Sequence, residues 1–385
     1  MKLLVLTSRF PYPLEKGDKL RLYYQLCELA KCHEICLVCL NDGAVSPEDY
    51  AVIAPLCASI HVIVQTKSQV LSNLFKGIFN GLPMQVSYFY NTDAHRQIRT
   101  VIAAQQPEHI YCQLIRMAPY YEGCGVPATI DFMDAYAYGA ARWAADVKWW
   151  QRPFWQWEAR RTAALERHCA KQFKHQLVIT EKDKTHLFSD TPDTIKVLPN
   201  GIDMAFFERD PTVKIEYDIV FVGNMGYVPN IDAALFLVKK VLPLLLAKYP
   251  NLRILLAGAR PSNAVLQLAS DNVTVSGWMD DIRLAYNSSR IFVAPLFLSI
   301  GQQNKVLESM AMSVPVIASS VVNSAYAAVP ETHLLLADTP KAFAEQIDRL
   351  LSAPDLQTTL TANARTWISQ NYSWAAFGKQ LADVF

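Results

Sequence analysis

Charge is scarce in this sequence, and neither sign is in clear excess. Lysine and arginine together number 36 and aspartate and glutamate 35 among 385 residues, so the formal net charge is +1. No run of lysine or arginine stands out as a binding arm. A general positive field that would recruit nucleic acid is therefore excluded, and we expect no nucleic-acid partner. Any site for an anion must be built locally.

Long apolar runs are also absent. No stretch reaches the ~18 to 20 apolar residues that a membrane-spanning helix needs. The first residues, MKLLVLTSRF, lack the long apolar region and small-residue cleavage site of a signal peptide. We therefore expect a cytoplasmic protein.

The sequence contains no internal repeat and no low-complexity segment, and only 18% of its residues are charged against 51% hydrophobic. This composition is typical of well-buried parallel sheets rather than of disorder. With 385 residues, the chain exceeds the ~250 to 300 residues at which single hydrophobic cores stop growing. The sequence thus predicts a soluble α/β protein of two domains.

Eight cysteines are present, and Cys27, Cys32, Cys36 and Cys39 cluster near His33. The segment around Cys36 and Cys39 has the pattern of a strand, on which residues three apart point to opposite faces, so these two cannot bind one ion. We predict buried reduced thiols. No cluster of carboxylates resembles a divalent metal site, so we predict no metal and expect metal independence.

Strand-like and helix-like segments alternate along the whole chain. Seven strand-like segments fall within residues 1–200: KLLVLTS, EICLVCL, HVIVQ, EHIYCQL, PATIDF, QLVIT and IKVLP. Six more follow a polar, turn-rich linker: YDIVFVG, LRILLAG, NVTVSG, RIFVAPL, VPVIAS and HLLLAD. Helices are predicted near residues 20–30, 229–248, 262–270, 280–288, 303–312 and 340–352. This alternation predicts two doubly wound, Rossmann-like domains, one over residues 1–200 and one over residues 201–372.

Ligands of such sheets bind in the loops that follow the carboxyl ends of the strands. The first of these loops, SRFPYPLEKGDKLR, is unusually long. It contains Gly17, then Asp18 as the expected N-cap of the next helix, then Lys19 and Arg21. The corresponding loops of the second domain are FVGNMGYVPN, AGARP, SGWMDD and the stretch that begins at Gly301.

The segment GQQNKVLESMAM follows a strand and begins a helix at Gly301. Free amides and the helix dipole make such a position a site for phosphate. Lys305 puts a positive charge in the first turn, where the dipole disfavours it, so we expect an anion to offset it. Glu308, one turn beyond Asn304 on the same face, has a carboxylate suited to a ribose diol. The alternative is a core helix whose two charged side chains extend into solvent.

These motifs resemble the donor-binding domain of retaining glycosyltransferases of family 4. The resemblance is carried by LPNGID, FVGN, AGA, VSGWMDDI and FVAPL followed by GQQNKVLESMAMSVPVIAS, and the first loop is similar to sugar transferases of bacterial exopolysaccharide clusters. It spans nearly the whole chain and implies the GT-B fold, in which two Rossmann-like domains face each other across a cleft. It also implies that residues 373–385 form a helix that crosses back to the N-terminal domain.

For the donor, the resemblance implies that Glu308 holds the nucleotide ribose, that Lys305 contacts the diphosphate, and that the amides from Gly301 to Gln303 surround it. The turn at Gly277 and Trp278 is implied to reach the base. The other donor-side residues are Gly17, Arg21, Gly223, Asn224, Gln302, Gln303 and Asn304.

The sequence departs from the family pattern at two places. Ile300 stands where a glutamate is usual, and the loop GNMGYVPN lacks the usual arginine and lysine pair. We expect the polar contact to the donor sugar to be absent or to come from Gln302 or Gln303. More of the diphosphate charge should then fall on Lys305, with help from Arg21 or Lys19.

The segment TIDFMDAY places Asp131 and Asp134 at a strand end, where the resemblance implies a group that faces the reacting carbon. Asp134 is our candidate to orient the acceptor hydroxyl or take its proton. The alternative is an N-cap for the following helix. Arg116 is a further acceptor-side candidate, with an ordinary surface arginine as the alternative.

The sequence therefore predicts a glycosyltransferase that moves a sugar, with retention, from a nucleoside diphosphate sugar to a glycan or lipid-linked acceptor in bacterial polysaccharide or glycoconjugate synthesis. A UDP-sugar is the favoured donor, and no cofactor is expected. The alternatives are a nucleotide-sugar epimerase on the same fold and a catalytically silent nucleotide-sugar-binding subunit.

Residues 142–174 hold five of the eight tryptophans, with eight basic residues against three acidic ones. Tryptophan and basic residues together suit the headgroup region of a bilayer. We hypothesise peripheral contact of this segment with an anionic membrane. The alternatives are packing in the core of the N-terminal domain and a subunit interface.

Overall fold

The computed structural model describes residues 1–187, 195–298, 302–382 and 384. It divides into two compact units. Unit 1 comprises Met1–Pro199 and Phe377–Phe385, and unit 2 comprises Asn200–Ala376.

Unit 1 is built on a seven-stranded sheet in which every neighbouring pair is parallel. Its strands are β1 (Lys2–Thr7), β2 (Glu34–Asn41), β3 (Ser59–Val64), β4 (His109–Gln113), β5 (Ala128–Met133), β6 (His175–Val178) and β7 (Ile195–Val197). The order β3-β2-β1-β4-β5-β6-β7 makes β1 and β4 the neighbours at which the direction of the sheet reverses. All seven predicted strands are confirmed.

The helices of unit 1 connect these strands. They are α1 (Gly17–Leu29), α2 (Pro47–Ile53), α3 (Lys67–Gly77), α4 (Met84–Ser87), α5 (Thr92–Gln105), α6 (Ala118–Tyr121), α7 (Tyr136–Asp146), α8 (Arg152–Gln172) and α9 (Glu181–Leu187), with short 3-10 helices at Ala54–Leu56 and Ile115–Met117. Leu3, Leu4, Val5 and Leu6 of β1 have no exposed surface, as expected for a central parallel strand covered on both faces.

Unit 2 repeats this architecture with six parallel strands in the order β10-β9-β8-β11-β12-β13. The strands are β8 (Tyr217–Val222), β9 (Ile254–Ala257), β10 (Val273–Gly277), β11 (Ser289–Ala294), β12 (Val316–Ala318) and β13 (Leu335–Leu336). Here β8 and β11 are the neighbours at which the direction reverses. The six predicted strands of the second half are confirmed.

The helices of unit 2 follow the predicted positions with differences in length. They are α10 (Val228–Phe236), a π-helical segment (Leu237–Val241), α11 (Leu242–Leu246), α12 (Asn263–Leu266), α13 (Arg283–Asn287), α14 (Asn304–Ala311), α15 (Ser320–Asn323), α16 (Pro340–Ser352), α17 (Pro354–Asn371) and α18 (Trp374–Ala382), whose residues from Phe377 onward belong to unit 1. The helix predicted over 262–270 is much shorter, because Ser270 pairs with Val273 in a bridge that turns the chain into β10.

Two local predictions are corrected. Helix α1 begins at Gly17 with Lys16 as the N-cap residue, so Asp18 lies in the first turn and is not the cap. The thiols of Cys36 and Cys39 are buried as predicted, but Cys32 is exposed because it follows the end of α1. Among the helices of the described residues, none is both long and apolar enough to cross a membrane.

Candidate functional site

Two loops pack closely at the carboxyl edge of the unit 2 sheet, after β8 and after β9. A Cβ on Gly258, whose φ is +135°, would overlap the carbonyl oxygen of Gly223. A Cβ on Gly223 would lie 2.8 Å from Asn230 Nδ2 and 3.0 Å from Lys305 Nζ. Only glycine fits these positions without displacing neighbours. The lysine ammonium therefore lies against nearly bare backbone at the point where the sheet reverses direction.

Lys305 lies in the first turn of α14 and is half-buried. Its Nζ donates to Asn230 Oδ1 over 2.7 Å and lies 4.9 Å from the centre of the Phe221 ring. Burial lowers the pKa of Lys305 to about 8, and the nearby charge of Glu308 opposes this shift. Its printed hydrogen-bond partner is neutral, so its charge is poorly compensated and suits an anion.

Glu308 is half-buried one turn along the same helix. Its Oε2 accepts a hydrogen bond of 2.7 Å from the hydroxyl of Tyr286. Burial raises the pKa of Glu308, while that hydrogen bond and the charge of Lys305 hold it down. The alternative in which both charges extend into solvent is wrong, because both side chains are hydrogen-bonded to buried residues of unit 2.

The start of α14 leaves polar groups for a ligand. Gln303 is the N-cap residue and makes no side-chain hydrogen bond to the helix. Asn304 Oδ1 is buried without a hydrogen-bond partner among the described residues. First-turn amides without a cap are available to an anion. Ile300 and Gly301 lie outside the described residues.

Gln302 does not fill the role expected of it. Its side-chain amide accepts from the backbone N–H of Asn200 over 2.9 Å and donates to the carbonyl of Asn200 over 3.0 Å. The prediction that Gln302 replaces the missing glutamate is therefore corrected, because both polar atoms already hold the LPNGID segment. Gln303 remains the candidate for that contact.

Asn224 and Asn230 shape the loop after β8. Asn224 Oδ1 accepts from the backbone N–H of Gly226 over 3.0 Å, and Asn230 Nδ2 donates to the carbonyl of Asn224 over 3.0 Å. Asn230 therefore links this loop to Lys305. Sequence reasoning missed both Asn230 and Tyr286, and the only available signal for Asn230 was its position early in the helix that follows FVGN.

Gly277 and Trp278 lie at the same carboxyl edge, at the end of β10. Gly277 has a φ of +68° and its carbonyl accepts from the amide of Gly258 over 3.1 Å. The Trp278 indole is exposed, and its Nε1 donates to Asp280 Oδ1 over 3.0 Å. No printed contact joins these two residues to Lys305 or Glu308.

In unit 1, Arg21 is placed differently from the prediction. The side chains of Arg21 and Asp131 have no exposed surface, and Arg21 Nε donates to Asp131 Oδ2 over 2.7 Å. The same carboxylate oxygen accepts from Gln25 Nε2 over 2.7 Å and from the Tyr111 hydroxyl over 2.9 Å. Arg21 as a donor ligand is therefore corrected to a buried structural residue, and Asp131 is its partner.

Asp134 follows an irregular strand end. The β5–β6 register shifts between Asp131 and Met133, and Met133 has a φ of +64°, which is strained for a residue with a side chain. Asp134 is half-buried, and no printed hydrogen bond reaches its carboxylate. Burial and then repulsion by Asp183 raise the pKa of Asp134 to about 7, against the opposing charge of Arg21.

The helix-cap alternative for Asp134 is wrong. Helix α7 has Ala135 as its N-cap residue and no side-chain cap. Its first amides are instead satisfied by carboxylates of later helices: Ala137 N–H donates to Glu166 Oε1 over 3.1 Å, and Ala135 N–H donates to Asp183 Oδ1 over 3.2 Å. The carboxylate of Asp134 is thus left for another role.

Arg116 follows β4 at the switch point of unit 1, after Leu114 with a φ of +67°. Its side chain is only 16% exposed and lies 3.7 Å from Asp18, which also pairs with Arg9 over 2.7 Å. Both guanidinium groups lie over the ring of Phe89, at 5.2 Å for Arg9 and 4.9 Å for Arg116. The alternative of an ordinary surface arginine is wrong, since Nε of Arg116 is buried without a hydrogen-bond partner.

The structure places Arg116 and Asp134 near one another through Tyr136. Burial raises the pKa of Tyr136, Arg116 opposes this shift, and Asp134 and Asp18 add to it. Gly17 begins α1 next to Asp18, and a Cβ there would meet no atom within 4 Å. Arg116, Asp18, Asp134 and Tyr136 thus form one polar group at the carboxyl edge of the unit 1 sheet.

Lys19 points back to its own loop. Its Nζ donates to the carbonyl of Tyr12 over 3.3 Å, and burial lowers its pKa. Within the described ranges, no three side chains of histidine, cysteine, aspartate or glutamate come together as a metal site.

The tryptophan-rich segment is partly exposed. Trp149 is 79% exposed and Trp150 59%. Trp155 is half-buried and packs edge-on against Trp143 at 6.3 Å between ring centres. Packing in the core is therefore wrong for Trp149 and Trp150.

Comparison with known proteins identifies the type of domain in unit 2. Residues 216–353 match the family described as glycosyl transferases group 1. Over 96% of its length the chain is 18% identical to an uncharacterized 44.6 kDa protein in the cps region of Klebsiella pneumoniae, and the alignment covers 96% of that protein.

Solved structures resemble the whole chain. Sucrose-phosphate synthase from Thermosynechococcus elongatus superposes with a TM-score of 0.71 at 16% identity, covering 100% of this chain and 98% of that one. HepE of Anabaena in complex with UDP-glucose gives a TM-score of 0.70 at 12% identity, covering 100% and 99%. With the two parallel Rossmann-like sheets, these similarities show that the chain has the GT-B fold.

Proposed function

We propose that this protein is a glycosyltransferase that moves a sugar from a nucleoside diphosphate sugar, with a UDP-sugar favoured, to a glycan or lipid-linked acceptor. The observation that carries the proposal is the half-buried Lys305, hydrogen-bonded to a neutral amide, one turn from the Glu308–Tyr286 pair at the switch point of unit 2. These residues fall within the region matched to group 1 glycosyl transferases. The complex of HepE with UDP-glucose supports the choice of donor.

In this proposal the donor is held through its two charged or polar ends. Lys305 and the free amides at the start of α14 bind the diphosphate and stabilise it as it departs with negative charge. Glu308, oriented by Tyr286, accepts hydrogen bonds from the ribose hydroxyls. The positive charge thus comes from the protein, which is why we propose metal independence and no cofactor.

On the acceptor side, we propose Asp134 as the group that orients the acceptor hydroxyl or takes its proton. A carboxylate with a pKa of about 7 is ionised at neutral pH yet basic enough to accept a proton. Arg116 is the proposed positioning group for the acceptor, because its buried Nε lacks a partner. Retention at the anomeric carbon is inferred from the resemblance of the α14 segment to family 4.

We further propose a role in bacterial polysaccharide or glycoconjugate synthesis at the cytoplasmic face of a membrane. The relative from the Klebsiella cps region supports the pathway class. The exposed Trp149 and Trp150 support peripheral membrane contact through residues 142–174.

Thermal unfolding in the presence of a panel of nucleotides and nucleotide sugars tests the donor site. A ligand at ~100 times its Kd stabilises the folded state by about 2.7 kcal/mol, so the preferred donor should raise Tm clearly. Glu308→Gln should lose most of this shift, whereas Glu345→Gln, an exposed glutamate of α16, should keep it.

Turnover then separates the candidate functions. Transfer from the bound donor to an acceptor pool supports the proposal. Isomerisation of the donor without acceptor would instead indicate an epimerase, and binding without any turnover a silent subunit. If no nucleotide or nucleotide sugar raises Tm, the donor site is wrongly assigned.

A further inference from the structure

Helix α3 exposes its apolar face and buries its polar one. Leu71, Phe75, Ile78 and Phe79 follow the spacing i, i+4, i+7 and i+8, which places them on one side of the helix, and they are 72%, 66%, 47% and 76% exposed. The buried positions of the helix are instead Asn73 and Gly77. A surface helix of a globular protein normally has the opposite arrangement.

The orientation of α3 is fixed by specific contacts. Thr66 and Gln69 form a capping box at its start. Near its end, a Cβ on Gly77 would overlap the hydroxyl of Ser87, so the helix packs on α4 at a position where only glycine fits. The outward face is therefore a built feature and not a frayed segment.

Helix α8 ties this region to the tryptophan-rich segment. Arg161 donates to the carbonyls of Gly77, Ile78 and Leu82 over 2.5, 2.8 and 2.9 Å. Glu158 of the same helix accepts from the backbone N–H of Met84 over 2.8 Å. The apolar face of α3 and the start of α8, which carries the exposed Phe154, thus belong to one rigid part of unit 1.

The charges around this surface have one sign. Residues 66–84 contain Lys67 and Lys76 and no acidic residue. Residues 147–174 contain seven lysines and arginines, and their two acidic residues, Glu158 and Glu166, are buried and accept hydrogen bonds from helix amides. Neither segment therefore exposes a carboxylate to offset its basic side chains.

We propose that α3 is a membrane-inserting element, whose apolar face enters the acyl boundary of an anionic bilayer while the basic residues of α3 and α8 contact the headgroups. An apolar strip bordered by cations without exposed acids complements a surface of anionic lipid. A second copy of the same surface would bring like charges together, which disfavours self-association as the reason for the exposed face. This inference goes beyond the contact proposed for residues 142–174 and does not depend on sugar transfer.

Sedimentation of the full chain with vesicles tests the proposal. Binding is expected with vesicles of phosphatidylcholine and phosphatidylglycerol, and much less with phosphatidylcholine alone. A triple variant Leu71→Ser, Phe75→Ser, Phe79→Ser should lower partitioning by at least about tenfold, because three large apolar side chains no longer enter the bilayer. Lys67→Gln with Lys76→Gln should lower it by roughly fivefold or more at low salt, since each lysine near an anionic surface contributes about 1 kcal/mol.

The matched control is Leu244→Ser, Leu266→Ser, Val329→Ser, which removes three comparably exposed apolar side chains from unit 2 and should leave binding unchanged. A further arm, Trp149→Ala with Trp150→Ala, keeps α3 intact and should retain part of the binding. Equal binding by the α3 triple variant and the wild type would overturn the proposal, as would no binding to anionic vesicles. A smaller hydrodynamic size of the triple variant without any vesicle binding would assign the surface to self-association.

Discussion

Lys305 and Asp134 show at the level of single residues how burial prepares groups for chemistry. Burial lowers the pKa of the lysine to about 8 and raises that of the aspartate to about 7. In both cases the charged form is disfavoured by the fold and lacks a partner of opposite charge at hydrogen-bonding distance. Such groups cost stability in the free protein and become useful when a ligand supplies what is missing.

Lys305→Met should therefore raise Tm of the free protein at pH 7 while weakening nucleoside diphosphate binding. The folded-state pKa is lowered from 10.5 to about 8, so the ionised lysine destabilises the fold below about pH 8, and the penalty fades as pH rises toward 10.5. Loss of one charge-assisted contact should weaken UDP binding about tenfold to a hundredfold.

Calorimetric titration of UDP and of uridine checks the binding half of this prediction. Uridine affinity should change little, because the nucleoside lacks the diphosphate. The exposed Lys341→Met serves as the control, with no change in Tm or in affinity expected. Equal losses for uridine and UDP would place Lys305 away from the phosphates.

Asp134→Asn should reduce transfer strongly, by about a hundredfold or more, while nucleotide binding stays intact, because the carboxylate is proposed to act on the acceptor. The variant should also be more stable than the wild type. The folded-state pKa is raised from 3.8 to about 7, so the difference in Tm should grow as pH rises through this range and then level off. Thermal unfolding from pH 4 to pH 8 measures this, with the exposed Asp271→Asn as control. Full transfer activity in a stabilised variant would contradict the catalytic role.

At the scale of elements, strands were easy to predict and buried polar partners were not. Continuous apolar runs such as ICLVCL mark strands covered on both faces, and helix α16 has its predicted bounds because Thr339 caps it and Pro340 begins it. Arg21 could not be placed from sequence, because its partners Asp131 and Tyr111 come from distant strands that only the folded sheet brings together.

The donor site divides in the same way. Lys305 and Glu308 were predictable from one helix, since their spacing sets their common face. Asn230 and Tyr286 were not, because they reach α14 from two other helices. The bond between Gln302 and Asn200 was likewise invisible, since it joins segments about a hundred residues apart in sequence.

Helix α1 is attached to the unit 1 sheet through the Arg21–Asp131 pair, and removing one partner should be costly. Arg21→Met leaves Asp131 buried without its positive partner, which should destabilise the fold by about 3 to 5 kcal/mol. The double variant Arg21→Met, Asp131→Asn should recover much of this loss, because no unpaired buried charge remains. Urea denaturation measures both, and activity per folded molecule should be unchanged if Arg21 does not bind donor. A loss below ~1 kcal/mol in the single variant would mean that the pair is not a structural link.

At the scale of the whole molecule, the proposed transfer depends on groups from both units, and its pH profile should show them separately. Dependence of kcat/KM on pH should rise as Asp134 ionises near pH 7 and fall as Lys305 loses its proton near pH 8. Nucleotide binding alone should show only the alkaline decline. Asp134→Asn should remove the acidic limb without moving the alkaline one. A flat profile of kcat/KM between pH 6 and pH 9 would contradict the assignment of both groups.

The composition of unit 1 has a consequence for how the chain folds as it leaves the ribosome. Phe377 is buried and lies 5.3 Å from the guanidinium of Arg21, and a side chain on Gly378 would overlap the carboxylate of Glu28. These residues emerge only after all of Asn200–Ala376 has been translated, which takes about 10 to 35 s at ~5 to 20 residues per second. During that interval the first 199 residues lack part of their own core, so the nascent unit 1 must wait, incomplete, for its last helix. A translation stall anywhere in unit 2 would therefore leave the earlier unit, not the later one, as the target for chaperones and proteases.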